Sequence, residues 1–235
     1  MQKGEKTMST FVTRHPIDTG IAIHPQVQTM TFSLDSFRIT DTRSRHNDTD
    51  YASCTLLVRD SKGQGTPQTL KKKIGDVNNG THPVGLKFSN VAVPAGGSVV
   101  FNYLIVNSGH QSEGDVDKAL EQAGGALAEK GLVAGGTAIG TAILPGLGTI
   151  LGAIGGFLAG EIKSILTANC DGAVAAEQVT LTYDQLISDT AGGPMTKETK
   201  HPGTDSATGC GSNSMYYVTW HIERGIVSGV PVNRQ

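Results

Sequence analysis

Along QTMTFSLDSFRIT the apolar residues Met30, Phe32 and Leu34 alternate with polar neighbours, the period-2 mark of a strand with one buried face. Similar runs follow in YASCTLLVR, QTLKKKI, PVGLKFSNVAV and SVVFNYLIV, separated by the turn-rich stretches SKGQGTP, DVNNGTHP and PAGG. Asn79-Gly80 marks a tight turn, because both residue types tolerate positive φ. Five short strands at this spacing predict an antiparallel sandwich. The same period returns late in the chain. In EQVTLTYDQLI it places Val179, Leu181 and Tyr183 on one face, and in MYYVTWHIER it does the same for Tyr216, Val218, Trp220 and Ile222. Between these two runs, SDTAGGPMTKETKHPGTDSATGCGSNS reads as a long polar loop.

The period changes in the middle. Ser112-Glu113-Gly114-Asp115 has the form of a capping box, and the following VDKALEQAGGALAEKG is rich in good helix formers. From Gly131 to Gly160 no charged residue occurs, and Pro145-Gly146 interrupts the run near its centre. This predicts two helices, about 114–144 and 147–168, joined by a tight turn. The expected fold is therefore α+β: an antiparallel β-sandwich with an inserted glycine-rich α-helical hairpin. Its expected parts are an N-terminal arm at 1–26, a sandwich at 27–111 and 177–235, and the hairpin at 112–176.

Ten of the 30 residues in that uncharged run are glycine. An interior helical glycine costs about 1 kcal/mol relative to alanine, so such a helix needs a packing partner. Gly148, Gly152, Gly156 and Gly160 recur every four residues and would form one flat stripe on a helix, with Ile150, Ile154 and Phe157 on the bulky side. This pattern resembles a glycine zipper, the small-xxx-small spacing of closely packed helices in membranes. The resemblance covers residues 131–160 only and implies close helix association within a bilayer or between subunits. Each half of the run is too short to span a ~30 Å hydrocarbon core alone, which argues against a constitutive anchor.

Composition narrows the remaining classes. The formal net charge is -2, so no basic excess exists to neutralise a nucleic-acid backbone. The first 20 residues lack the apolar core of a secretory leader, which leaves localisation open: export would need lysis, a dedicated non-classical route or a leader already removed. Cys170 and Cys210 sit in turn-like contexts and are disulfide candidates, with a free-thiol pair as the alternative, while Cys54 reads as a small core residue. Asp41, Asp48 and Asp50 crowd one inter-strand loop, with Glu113, Asp115 and Asp117 after a later strand. Carboxylates on loops are what Ca²⁺ requires, and acidic loops at one end of a sandwich resemble the layout of C2 domains. Arg43 and Arg45 offer the alternative of simple ion pairing, and otherwise no cofactor is expected. Lys71-Lys72-Lys73 reads as a solvated strand edge. No HExxH, GxSxG or Walker A motif is present, so no enzyme is expected.

These features converge on a membrane-active protein of pore-forming toxin type. Its apolar segment would act with a lipid bilayer or with its own subunits, as a homo-oligomer when active. The alternative is a soluble binding or self-assembling module whose segment stays packed in the core.

Overall fold

The computed structural model describes residues 27–42, 48–109, 111–130, 171–203 and 214–225. Among these residues eight strands form two four-stranded sheets with every neighbouring pair antiparallel. They are β1 (Val27–Asp41), β2 (Asp48–Arg59), β3 (Gln68–Val77), β4 (Gly80–Pro94), β5 (Ser98–Asn107), β6 (Gly172–Thr182), β7 (Met195–Pro202) and β8 (Met215–Arg224). Sheet one runs β4-β1-β8-β7 and sheet two runs β3-β2-β5-β6. Two helices complete the described chain, α1 (Glu113–Lys130) after β5 and α2 (Tyr183–Asp189) after β6.

The alternating apolar positions build the core between the sheets. Met30, Phe32 and Leu34 point inward, and a bulge between Leu34 and Ser36 resets the phase so that Phe37 and Ile39 also face in. In β4 a second bulge at Asn90, whose φ is 58°, carries out the same reset between Phe88 and Val91. Phe32 and Phe101 meet across the sheets with ring centroids 6.0 Å apart, and Phe101 meets Trp220 at 6.0 Å.

Strand β5 is apolar on both faces, apart from the buried Asn102, because both are covered. Phe101, Tyr103 and Ile105 face sheet one, while Val100, Leu104 and Val106 lie beneath α1. The helix is seated by Val116, Leu120 and Ala123, and Ser112 caps it by accepting from the Asp115 N–H at 3.3 Å. At Gly124 it comes so near the sheet that a Cβ would collide with Thr55 Oγ1. Lys71 and Lys73 of β3 then pin it through Glu121 at 2.5 Å and Glu113 at 3.7 Å.

These findings correct the α+β expectation. Among the described residues the fold is mostly β, with two short helices and no helical hairpin. The expected first helix is present as Glu113–Lys130, and its continuation to 144, the second helix at 147–168 and the glycine stripe lie outside the described residues. Glu113 sits beside Lys73 at the end where β2 begins, and Ala128 packs on Leu57 and Val100 at the end where β2 stops. Asp171 is back at the first end, accepting from the Gly109 N–H at 3.2 Å.

Three smaller expectations also change. Strand β6 starts at Gly172 rather than 177 and ends at Thr182, where a capping box with Gln185 turns the chain into α2. Tyr183 is therefore helical rather than the end of a strand. The polar stretch 188–214, read as a loop, contains the whole of β7.

Candidate functional site

Strand β7 explains where the chemistry of the described residues lies. Its sequence MTKETKHP alternates, with Thr196, Glu198 and Lys200 exposed and Met195, Lys197, Thr199 and His201 turned inward. Three of those four inward positions are polar because they meet an acid. Glu177 of β6 faces the interior beside its ladder partner Tyr103 of β5, and β7 brings its polar face up against it from the other sheet.

The Glu177 carboxylate is fully engaged. Its Oε1 accepts from Lys197 Nζ at 2.5 Å. Its Oε2 accepts from Tyr103 OH at 2.9 Å, Thr199 Oγ1 at 2.8 Å and Trp220 Nε1 at 3.1 Å. Four donors from β5, β7 and β8 thus converge on one side chain that is 11% exposed. Burial pushes this carboxyl up, but the hydrogen bonds from Lys197, Thr199 and Trp220, with the Lys197 charge, outweigh it and hold the group below the ordinary carboxylate value.

His201 continues the network. Its Nε2 lies 2.6 Å from Tyr103 OH. Since that hydroxyl spends its single proton on Glu177, the hydrogen-bond pattern assigns the Nε2–H tautomer to the imidazole. Nδ1 is then a bare lone pair, buried and without a partner among the described residues. Burial pushes His201 down to about 4, with the Glu177 charge pulling up and the Lys197 charge pushing further down. Burial and the Glu177 charge raise Tyr103 well above the usual phenol range. One rung along the β7–β8 ladder, Tyr216 pairs with His201 and donates across the sheets to Asp50 Oδ2 at 3.0 Å.

This arrangement is suited to holding two sheets together rather than to turning over a substrate. The carboxylate has its lone pairs occupied, and the phenol and imidazole are both neutral at pH 7. The cleft beside β2, β3 and β4, about 480 Å³ and lined by residues such as Leu56, Val58, Gln68 and Asn90, contains no titratable side chain. Burial raises the Cys54 thiol to about 12, which removes it as a nucleophile.

The residues singled out in the sequence fall elsewhere. Asp41 is exposed at the end of β1 opposite Met215, Asp48 pairs with Val77 in β2, and Asp50 turns inward to Tyr216. Asp50 was expected on a cation-binding loop; its inward turn, forced by the period of β2, assigns it to the interior instead. No group of three or more His, Cys, Asp or Glu able to hold a metal occurs among the described residues. Gly148, Gly152, Gly156, Gly160, Ile150, Ile154, Phe157, Cys170 and Cys210 lie outside the described residues. The lysine run is not a plain solvated edge. Lys71 and Lys73 hold α1, and Lys72 Nζ reaches the carbonyl oxygens of Val84 at 2.7 Å and Pro83 at 3.4 Å.

Sequence reasoning missed the Glu177 cluster entirely. Two signals were available: the strict alternation of Thr196, Glu198 and Lys200 with the residues between them, and a lone acid inside the otherwise uncharged run GAVAAEQVTLT.

Fold and site together define a two-sheet antiparallel β protein with a helix-covered outer face and a polar clasp between its sheets. No protein-family model, curated protein or solved structure matches the chain.

Proposed function

We propose that this is a membrane-active protein in which the uncharged segment 131–160 associates with a lipid bilayer, several copies acting together in the manner of a pore-forming toxin. The observation that carries this reading is the state of the outer faces of the two sheets. The outer face of sheet two is covered by α1 through Val116, Leu120, Ala123 and Ala128. The outer face of sheet one is polar, with the ion pairs Arg38–Glu198 at 3.6 Å and Lys87–Glu223 at 3.5 Å and a hydrogen bond between His221 and Asp35 at 2.7 Å. Among the described residues Val27 is the one exposed large hydrophobic side chain.

Thirty residues without a charge carry a large apolar surface, and burying apolar surface is worth about 25 cal/mol per Å² wherever it occurs. Neither outer face offers it a broad apolar seat, which favours a partner outside the chain: lipid, or lipid together with further copies. No helix among the described residues is long and apolar enough to cross a membrane.

Dye release from liposomes tests the reading. Leakage is expected with the full chain, and it should be lost when Gly152 and Gly156 are both replaced by Leu while the sandwich stays folded. Absence of leakage across pH and calcium levels, on neutral and anionic vesicles alike, would overturn it. Stable oligomers without leakage would point instead to a self-assembling module.

A further inference from the structure

We propose that Glu177, Lys197, Thr199, Tyr103 and His201 form an acid-released clasp, and that acidification frees the edge strand β7 from sheet two while the rest of the sandwich stays folded. The proposal rests on the described geometry and does not depend on the membrane reading.

Three observations carry it. First, among the described residues β7 is a terminal strand, laddered to β8 on one side only. Second, its inward face is held by polar contacts. Apart from Met195, the residues it sends into the interior are Lys197, Thr199 and His201, and all three engage the Glu177 network. A strand anchored by one apolar side chain belongs to the low-stability end of a fold, where local opening precedes global unfolding. Third, the clasp is built from groups that lose their fit when they gain protons. A protonated Glu177 keeps one oxygen as a donor and gives up its charge, so Lys197 Nζ and one of the three donors on Oε2 lose their acceptor. A protonated His201 acquires a second N–H at Nδ1, in a buried position with no acceptor among the described residues.

The groups facing this pair come from every strand around it. Strand β5 contributes Tyr103, β6 contributes Glu177 and β7 contributes Lys197, while β8 contributes Tyr216 with Asp50 of β2 behind it. Burial and the Lys197 charge oppose protonation of His201, and the Glu177 charge supports it. Neutralising Glu177 therefore removes the one nearby charge that would compensate a cationic His201. The two protonations disrupt the same clasp.

Hydrogen–deuterium exchange on the full chain reads this directly. After correction for the intrinsic pH dependence, peptides from β7 should exchange at least about tenfold faster at pH 4 than at pH 7. Peptides from β5 should keep their protection. Glu177→Gln places a neutral side chain of the same shape in the clasp and should release β7 already at pH 7. Should that variant fail to fold, His201→Gln serves instead. It keeps a donor toward Tyr103 and cannot take a proton, so the acid response of β7 should shrink. Equal protection of β7 at both pH values, or loss of β5 and β7 together, would overturn the proposal.

Discussion

The two open edges of the sandwich solve one mechanical problem by different chemistry. At one edge β3 faces β4, and Lys72 reaches across to the carbonyl oxygens of Pro83 and Val84. At the other, β6 faces β7, and Glu177 collects donors from Lys197, Thr199 and Trp220. In both cases one charged side chain ties the sheets where the apolar core runs out. The first is an ammonium on neutral dipoles, exposed to water. The second is a buried carboxylate whose partners include a histidine, so its fit depends on protons. Closure at the β3–β4 edge should be indifferent to acid, and closure at the β6–β7 edge should fail in it.

Phe101 tests what both edges share. It touches Phe32 and Trp220 across the sheets and is fully buried. Phe101→Ala should cost about 3–5 kcal/mol, the range for truncating a large core aromatic. Urea unfolding should show the loss at pH 7 and pH 5 equally, because nothing at that position titrates.

Glu177→Ala should come next, at about 3 kcal/mol. Removing one member of a buried pair leaves its partners uncompensated, typically at 3–5 kcal/mol. The lower end applies because Lys197 is 29% exposed and can recover hydration. Trp220 Nε1, Tyr103 OH and Thr199 Oγ1 would all lose their acceptor. Urea unfolding of this variant against wild type gives the number, and a loss no larger than that of an average surface substitution would mean the clasp is ornamental.

The acid response of the wild type is of similar size. His201 is held at about 4 in the fold against an ordinary 6.5, so on acidification the unfolded chain takes up the proton first. The corresponding stability is fully present above pH 6.5 and is lost progressively as the pH falls to about 4. It amounts to roughly 3 kcal/mol at 1.36 kcal/mol per unit. Glu177, held below the ordinary carboxylate value, adds a loss in the same direction once the pH drops below about 4.5. Thermal unfolding at a series of pH values should show a decline beginning near 6.5 in wild type and later in His201→Gln.

The same comparison explains what could be read from the residues alone. Strands β1, β4 and β8 were legible because their inward positions are apolar and their outward ones largely are not, as with Met30, Phe32 and Leu34, and β2 and β5 were legible as apolar runs bounded by turns. The rule failed at β7, where the alternation is intact but the inward residues are Lys197, Thr199 and His201. A polarity scale cannot distinguish a residue facing water from one facing a buried carboxylate. The end of β6 was misplaced for a local reason, since apolar alternation through Tyr183 masked the capping pair Thr182 and Gln185. The clasp was out of reach because Glu177 is separated from Tyr103 by 74 residues and from Trp220 by 43. Only the sheet topology brings them together.

Lys72 gives the smallest effect and the sharpest contrast. Lys72→Ala removes two side-chain to carbonyl bonds at an exposed site, where the carbonyls of Pro83 and Val84 can turn to water. The expected loss is below about 1 kcal/mol. Its diagnostic property is its flatness: the difference between Lys72→Ala and wild type should stay constant from pH 7 to pH 4, while the difference for Glu177→Ala should shrink as wild type loses its own clasp. Urea titrations of the two variants at matched pH values make that test. A Lys72 effect that grew or vanished with acid would mean that the two edges are coupled through the core rather than closing the sandwich independently.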